Sequence, residues 1–196
     1  MSKKDLIDEI LSIELDMFRR VPVLGSKCQD DLEAFRINRE SQFETWSERT
    51  LECYLSDLKE ALKQRRNLMT QKYLKIEIAR DGSFPCTNLN PIIDKIMEEE
   101  ENWFREFKKK YPHILKENEE IICGVPLWLI YLRAELETYS DETLESLYQD
   151  ILEAKAKGKN LVEETYRKLF QKLGYTSLEE VMEFRKRRNK FETLSR

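Results

Sequence analysis

Apolar residues return every three or four positions through most of the chain, the spacing of a helix that buries one face. Leu51, Tyr54, Leu55, Leu58 and Leu62 form one such stripe, and Leu144, Leu147, Tyr148 and Ile151 form another. A serine followed by an acidic residue stands before each, Ser47 and Ser140, so that a hydroxyl can accept the orphan amide hydrogens of a helix start. The first helix is expected to end near Arg65-Arg66 and the second near Gly158-Lys159. Asn67 and Asn160 are then placed to cap the next helices, with Glu163 completing a capping box in the second instance. Thr176, with Glu179 three residues on, predicts a last helix after Ser177.

These two hairpins are close copies. Residues 44 to 73 laid over residues 137 to 166, an offset of 93, give twelve identities in thirty ungapped positions, where average residue frequencies predict roughly two. The matches include Glu44 with Glu137, Ser47 with Ser140, Thr50 with Thr143, Asp57 with Asp150, Asn67 with Asn160 and Tyr73 with Tyr166, while Trp46 answers Tyr139. Upstream, Met17-Phe18-Arg19 answers Trp103-Phe104-Arg105 at an offset of 86, so the first connection differs in length. The expectation is a single all-α domain over residues 1–196, a bundle of about nine helices built by internal duplication. Its parts are a four-helix repeat over about 5–80, a linker at 81–91 (DGSFPCTNLNP), a second four-helix repeat over about 92–173 and a last helix at 177–195. Neither hairpin can cover its own apolar stripe, so the halves should pack about a pseudo-twofold axis, with a crevice between them suited to a ligand.

Composition agrees with helices: 40% hydrophobic and 37% charged residues, with only five Gly and five Pro. At 196 residues most of the apolar surface can be buried without a metal or disulfide staple. Lys and Arg number 34 against 38 Asp and Glu, interspersed, for a net charge of −4; no broad basic face is offered to nucleic acid. Cys28, Cys53, Cys86 and Cys123 form no CxxC pair and follow no secretory signal, which points to reduced thiols and a cytoplasmic location. No apolar run reaches the length of roughly 18 residues that a membrane span needs.

The candidate site is built from the repeat itself. Gln42 and Trp46 lie four apart on one helical face, as do Glu135 and Tyr139 at the matching positions, with Arg39 one turn below Gln42. Two readings stand side by side. Arg39, Gln42, Trp46, Arg133, Glu135, Glu137 and Tyr139 line a pocket for a polar small molecule, a cation being one option, held by hydrogen bonds and ring faces, or they cap helices and fill the core. On the pocket reading, Gln42→Ala and Glu135→Ala remove binding with little loss of stability.

Other chemistry is thin. Glu14, Glu40, Glu44, Glu135 and Glu137 raise the question of a metal, but a di-iron bundle site wants Glu-x-x-His, and the single histidine, His113, follows Pro112 in a boundary segment. No metal is expected, oxygen-only binding of a hard ion being the residue of that idea. Cys28, ahead of a helix predicted to start near Asp30, is placed for a lowered thiol pKa, yet it lies beside Asp30 and Asp31 with no histidine base, so an inert packing role is favoured. Cys53 reads as core. Glu98 to Glu101 and Arg185 to Arg188 read as solvated helix faces. There is no dinucleotide-binding, P-loop or serine-elbow pattern, and no motif implies a cofactor.

The run CQDDLEAFRINRESQFETW (28–46), with Arg66-Asn-Leu and YLRAELETYS (131–140), resembles a bacterial family catalogued as domain of unknown function 4125, over nearly the whole chain. Where members carry Thr-Phe and Met-Arg, this chain has Ala34-Phe35 and Asn38-Arg39, and Arg65 stands where the loop glycine is usual. The resemblance implies no activity. Some members are joined to a nucleotidyltransferase-like domain, which implies a helical partner to a catalytic one. Enzyme or not is therefore left open between two classes: a small-molecule-binding helical domain, and a helical interaction or regulatory module with a protein partner.

Overall fold

The computed structural model describes residues 1–22, 31–80, 82, 88–115 and 120–194. Cys28, Cys86 and most of the expected linker lie outside the described residues.

The helices are α1 (Lys3–Arg19), α2 (Leu32–Phe43), α3 (Glu48–Lys63), α4 (Leu68–Arg80), α5 (Pro91–Lys110), α6 (Leu127–Leu136), α7 (Asp141–Ala156), α8 (Leu161–Lys172) and α9 (Leu178–Leu194). Between α5 and α6 a two-stranded antiparallel ribbon joins β1 (Ile121–Ile122) to β2 (Val125–Pro126). The all-α class and the nine helices, counted among the described residues, are those the periodicity predicts.

The helix starts follow the cap chemistry. Ser47 Oγ accepts from the Thr50 amide and Ser140 Oγ from the Thr143 amide, each at 3.2 Å. Asn67 Oδ1 and Asn160 Oδ1 accept from the Thr70 and Glu163 amides at 2.9 Å. Asp31 caps α2 through the Ala34 amide, and Asn90 caps α5 with Pro91 at the first helical position. Three details depart from expectation. The Glu163 carboxylate is drawn to Lys110, Tyr111 and Arg167 instead of its own cap. The last helix is capped by Ser177, which accepts from the Glu180 amide, while Glu180 reaches back to Thr176. The β-ribbon was not foreseen: Cys123 and Gly124 both take positive φ, 50° and 82°, the backbone of a tight hairpin turn.

Bounds and bonds match across the two halves, at the offset of 93 from α3 onwards and of 86 for the Met17 and Trp103 carbonyls. Asp150 accepts from the Ser47 amide (2.8 Å) and the Thr50 hydroxyl (2.7 Å). Asp57 accepts from the Ser140 amide (3.0 Å) and the Thr143 hydroxyl (2.7 Å). Each half thus supplies the carboxylate that completes the other's helix start, where α3 and α7 pack together. Asn67 donates to the Met17 carbonyl at 2.8 Å and Asn160 to the Trp103 carbonyl at 2.9 Å. Lys75 pairs with Glu137 (2.7 Å) as Lys168 pairs with Glu44 (3.2 Å).

Packing is exchanged as well: α2 lies on α8, and α6 lies on α4. One continuous core runs through both halves. Leu6, Ile10, Phe43, Leu51, Tyr54, Leu58, Phe107, Leu144 and Ile151 are all essentially inaccessible, and each buried aliphatic side chain of this kind stabilises by about 1.5–3 kcal/mol. No described helix is long and apolar enough to cross a membrane.

Candidate functional site

Where α1, α2, α3, α4 and α6 meet, the core holds charge. Glu14 stands in the apolar stripe of α1 beside Ile10, Leu11, Met17 and Phe18 and is fully buried. Lys72 occupies a stripe position of α4 among Leu68, Met69 and Ile76, and is 8% exposed. Arg39 (6%) comes from α2 and Glu135 (7%) from α6. Isolated charges at such depth are strongly unfavourable, so each must be paired and hydrogen-bonded.

The pairing is thorough. Arg39 grips Glu14 with two bonds, Nε to Oε2 at 2.9 Å and Nη2 to Oε1 at 2.6 Å. Its Nη1 donates to Glu135 Oε1 and Gln42 Oε1, both at 2.6 Å. Lys72 Nζ donates to Glu135 Oε2 at 2.5 Å. The Tyr54 hydroxyl donates to Glu14 Oε1 (2.6 Å) and the Tyr139 hydroxyl to Glu135 Oε1 (2.5 Å). Two carboxylates meet two cations, and the formal charge balances. Beneath lies an aromatic cluster: Arg39 sits 4.6 Å above the Phe43 ring, and Trp46, Tyr54 and Tyr139 pack edge-on or tilted at centroid separations of 4.9–6.1 Å.

The electrostatics follow from this geometry. Burial alone would push the Glu135 carboxyl up, but Arg39, Lys72 and the Tyr139 hydroxyl hold it well below the ordinary carboxylate range. Burial, with carboxylates alongside, raises both the Tyr54 and Tyr139 phenols, which stay protonated donors. The carboxylates keep Arg39 charged despite its burial. Donor hydrogens are left over: the half-buried Gln42 amide nitrogen has no partner among the described residues, and the buried Lys72 makes one hydrogen bond where an ammonium can make three.

Of the residues singled out from sequence, Arg39, Gln42, Glu135 and Tyr139 converge, with the Trp46 ring against Tyr139. Arg133 and Glu137 are engaged beside them: Glu137 with Lys75, and Arg133 with Glu137 (3.3 Å), Asp94 (2.8 Å) and Met97. Sequence reasoning missed Lys72 and Tyr54, and it weighed Glu14 only as a metal ligand. The available signal was a charged residue in an apolar stripe, at Glu14 and at Lys72. No group of three or more His, Cys, Asp or Glu side chains is placed for a metal ion among the described residues. His113 lies in the turn after α5, and burial raises the half-buried Cys53 thiol. Two surface grooves lie elsewhere, one of about 550 Å³ beside Trp103, Lys155 and Asn160 and one of about 460 Å³ beside Lys3, Glu40 and Lys168.

Residues 4–183 match the family described as Protein of unknown function (DUF4125). No curated protein and no solved structure matches the chain. The chain belongs to the DUF4125 family.

Proposed function

We propose that this family member is a helical small-molecule-binding domain whose site is centred on the Arg39 cluster, and that the site binds its ligand without transforming it. The two halves are read as an internal duplication whose exchanged helices bring Gln42 and Glu135, matching positions at the offset of 93, to one place. Against catalysis stands the saturation of the cluster. Glu135 is held ionised by two cations and both phenols are held protonated, so none of these three groups is poised near neutrality to carry a proton.

The observation that carries the reading is the pair of donors with hydrogens to spare, the Gln42 amide and the Lys72 ammonium, beside a neutralised charge network. Because both carboxylates are consumed internally, the polar ligand is one that presents an acceptor oxygen, carboxylate, carbonyl or phosphate, and not the cationic option. The same saturation also favours the alternative of a helical interaction module serving a separate protein, with the cluster as internal packing.

Native mass spectrometry of the protein purified from its host separates the two. A stoichiometric small-molecule mass that disappears in Gln42→Ala, while thermal unfolding moves by only about 1 kcal/mol, supports the binding domain. A bare chain, or a chain carrying another protein, rejects it in favour of the module.

A further inference from the structure

The run Glu98 to Glu101, read from sequence as a solvated face, is not uniform. Glu99 pairs with Lys155 and Glu101 with Arg105. Glu100 instead occupies the apolar stripe of α5, in line with Ile93, Ile96, Trp103 and Phe107, all four of which are buried. Two contacts fix what lies opposite. Arg133 of α6 meets Asp94 and Met97, and the Trp128 ring lies tilted against Phe104 at 4.3 Å between centroids, so the two helices run antiparallel and the Glu100 position falls between these contacts, level with the Leu129 to Leu132 turn.

No hydrogen bond or ion pair reaches Glu100 among the described residues. The nearby cations are committed: Arg133 to Asp94 and Glu137, Lys95 over the Tyr148 ring, Lys108 over the Phe104 ring. Burial alone pushes its carboxyl up to about 7.

The comparison with the other half makes the position more telling. The offset of 86 that aligns Met17-Phe18-Arg19 with Trp103-Phe104-Arg105 aligns Glu14 with Glu100. The offset of 93 aligns the partners of the first cluster, Arg39, Tyr54 and Lys72, with Leu132, Leu147 and Thr165. The second half keeps the carboxylate and has lost both donors that satisfy it in the first. The half-buried Glu100 carboxylate thus stands in an apolar stripe with no protein donor among the described residues, where burial weakens its hydration.

We propose that Glu100 anchors a second binding site, between α5 and α6, for a small organic cation, a primary ammonium or guanidinium group carried on an apolar body. The cationic head takes the place that Arg39 and Tyr54 fill around Glu14, and the apolar body rests against the Phe104–Trp128 ring pair. Glu100 is partly accessible, so the head can reach it from solvent. The site is independent of the Arg39 cluster and opposite to it in charge preference.

The test is calorimetric titration of the full chain with benzylamine, using benzyl alcohol as the uncharged probe of the same shape. Saturable benzylamine binding is expected at about pH 8, weakened about tenfold or more at about pH 5.5, where the carboxyl is protonated. Glu100→Gln removes it at both pH values, whereas Gln42→Ala leaves it unchanged. Benzylamine binding no better than benzyl alcohol at the higher pH, or equal binding by Glu100→Gln, overturns the proposal; both the probe comparison and the pH comparison use the unaltered protein, so they hold even if the variant folds poorly.

Discussion

Glu135 and Gln42 occupy one sequence motif but different physical situations. Glu135 bridges Arg39 and Lys72 in the core, and Glu135→Ala leaves Lys72 buried without its counter-charge while Arg39 keeps Glu14 alone. The expected loss is about 3–5 kcal/mol of stability, read by urea unfolding at neutral pH, which reverses the expectation that Glu135→Ala is a clean binding variant. The pH dependence has the same origin. Because the folded-state pKa of Glu135 lies below its unfolded value, its contribution is present above the ordinary carboxylate range and is lost as the pH falls towards the depressed folded value. A Glu135→Gln variant should therefore lose most at neutral pH and approach the parent protein in acid; a constant difference at every pH would refute this assignment. The polar faces carrying Arg39, Gln42 and Glu135 were legible as helical spacing. Their partners were not: Glu14 and Lys72 look like single interruptions of apolar stripes until the fold brings α1 and α4 to the same point.

At the scale of elements, the caps and bounds were largely readable, because a serine or asparagine hydrogen-bonds within its own turn. The errors came where a longer-range partner competed, as for Glu163, or where two residues of left-handed backbone made a hairpin of an apolar run, as at Cys123-Gly124. The turns after α3 and α7 offer a controlled comparison. Arg65 has φ 54° and Gly158 φ 65°, and both turns close with a bond to the alanine five residues back from the following amide, Arg66 to Ala61 and Lys159 to Ala154. A Cβ at Gly158 would meet nothing within 4 Å, so the penalty of a side chain there is conformational only. Arg65→Gly should raise stability by about 0.5–1 kcal/mol and Gly158→Ala should lower it by about the same amount, measured by thermal unfolding. Equal signs for the two would show that the turns are not equivalent.

Across the whole molecule, the reciprocal bonds of Asp57 and Asp150 and the exchanged packing of α2 on α8 and α4 on α6 tie the halves into one cooperative unit. Asp150→Ala removes a cap from α3, not from its own half's helix start, and should cost about 1–2 kcal/mol. Hydrogen exchange is the informative readout: protection should fall together in α3 and α7, within a single unfolding transition, whereas loss confined to residues after 140 would mean that the halves are separable. Sequence offsets could suggest two similar halves, but not that each would complete the other, since exchange depends on connection lengths and on surfaces that meet only in the folded chain.

That exchange also has a consequence for synthesis. A nascent chain emerges from its N-terminus at roughly 5–20 residues per second, and α2 and α4 leave the ribosome well before α8 and α6, the helices that cover them. For those seconds α1 can already pack on α2, α3 and α4, but the faces of α2 and α4 that meet α8 and α6 stay uncovered. The early chain is therefore a client for holdase chaperones, and a message cut short before α8 yields a sticky fragment instead of a smaller working protein.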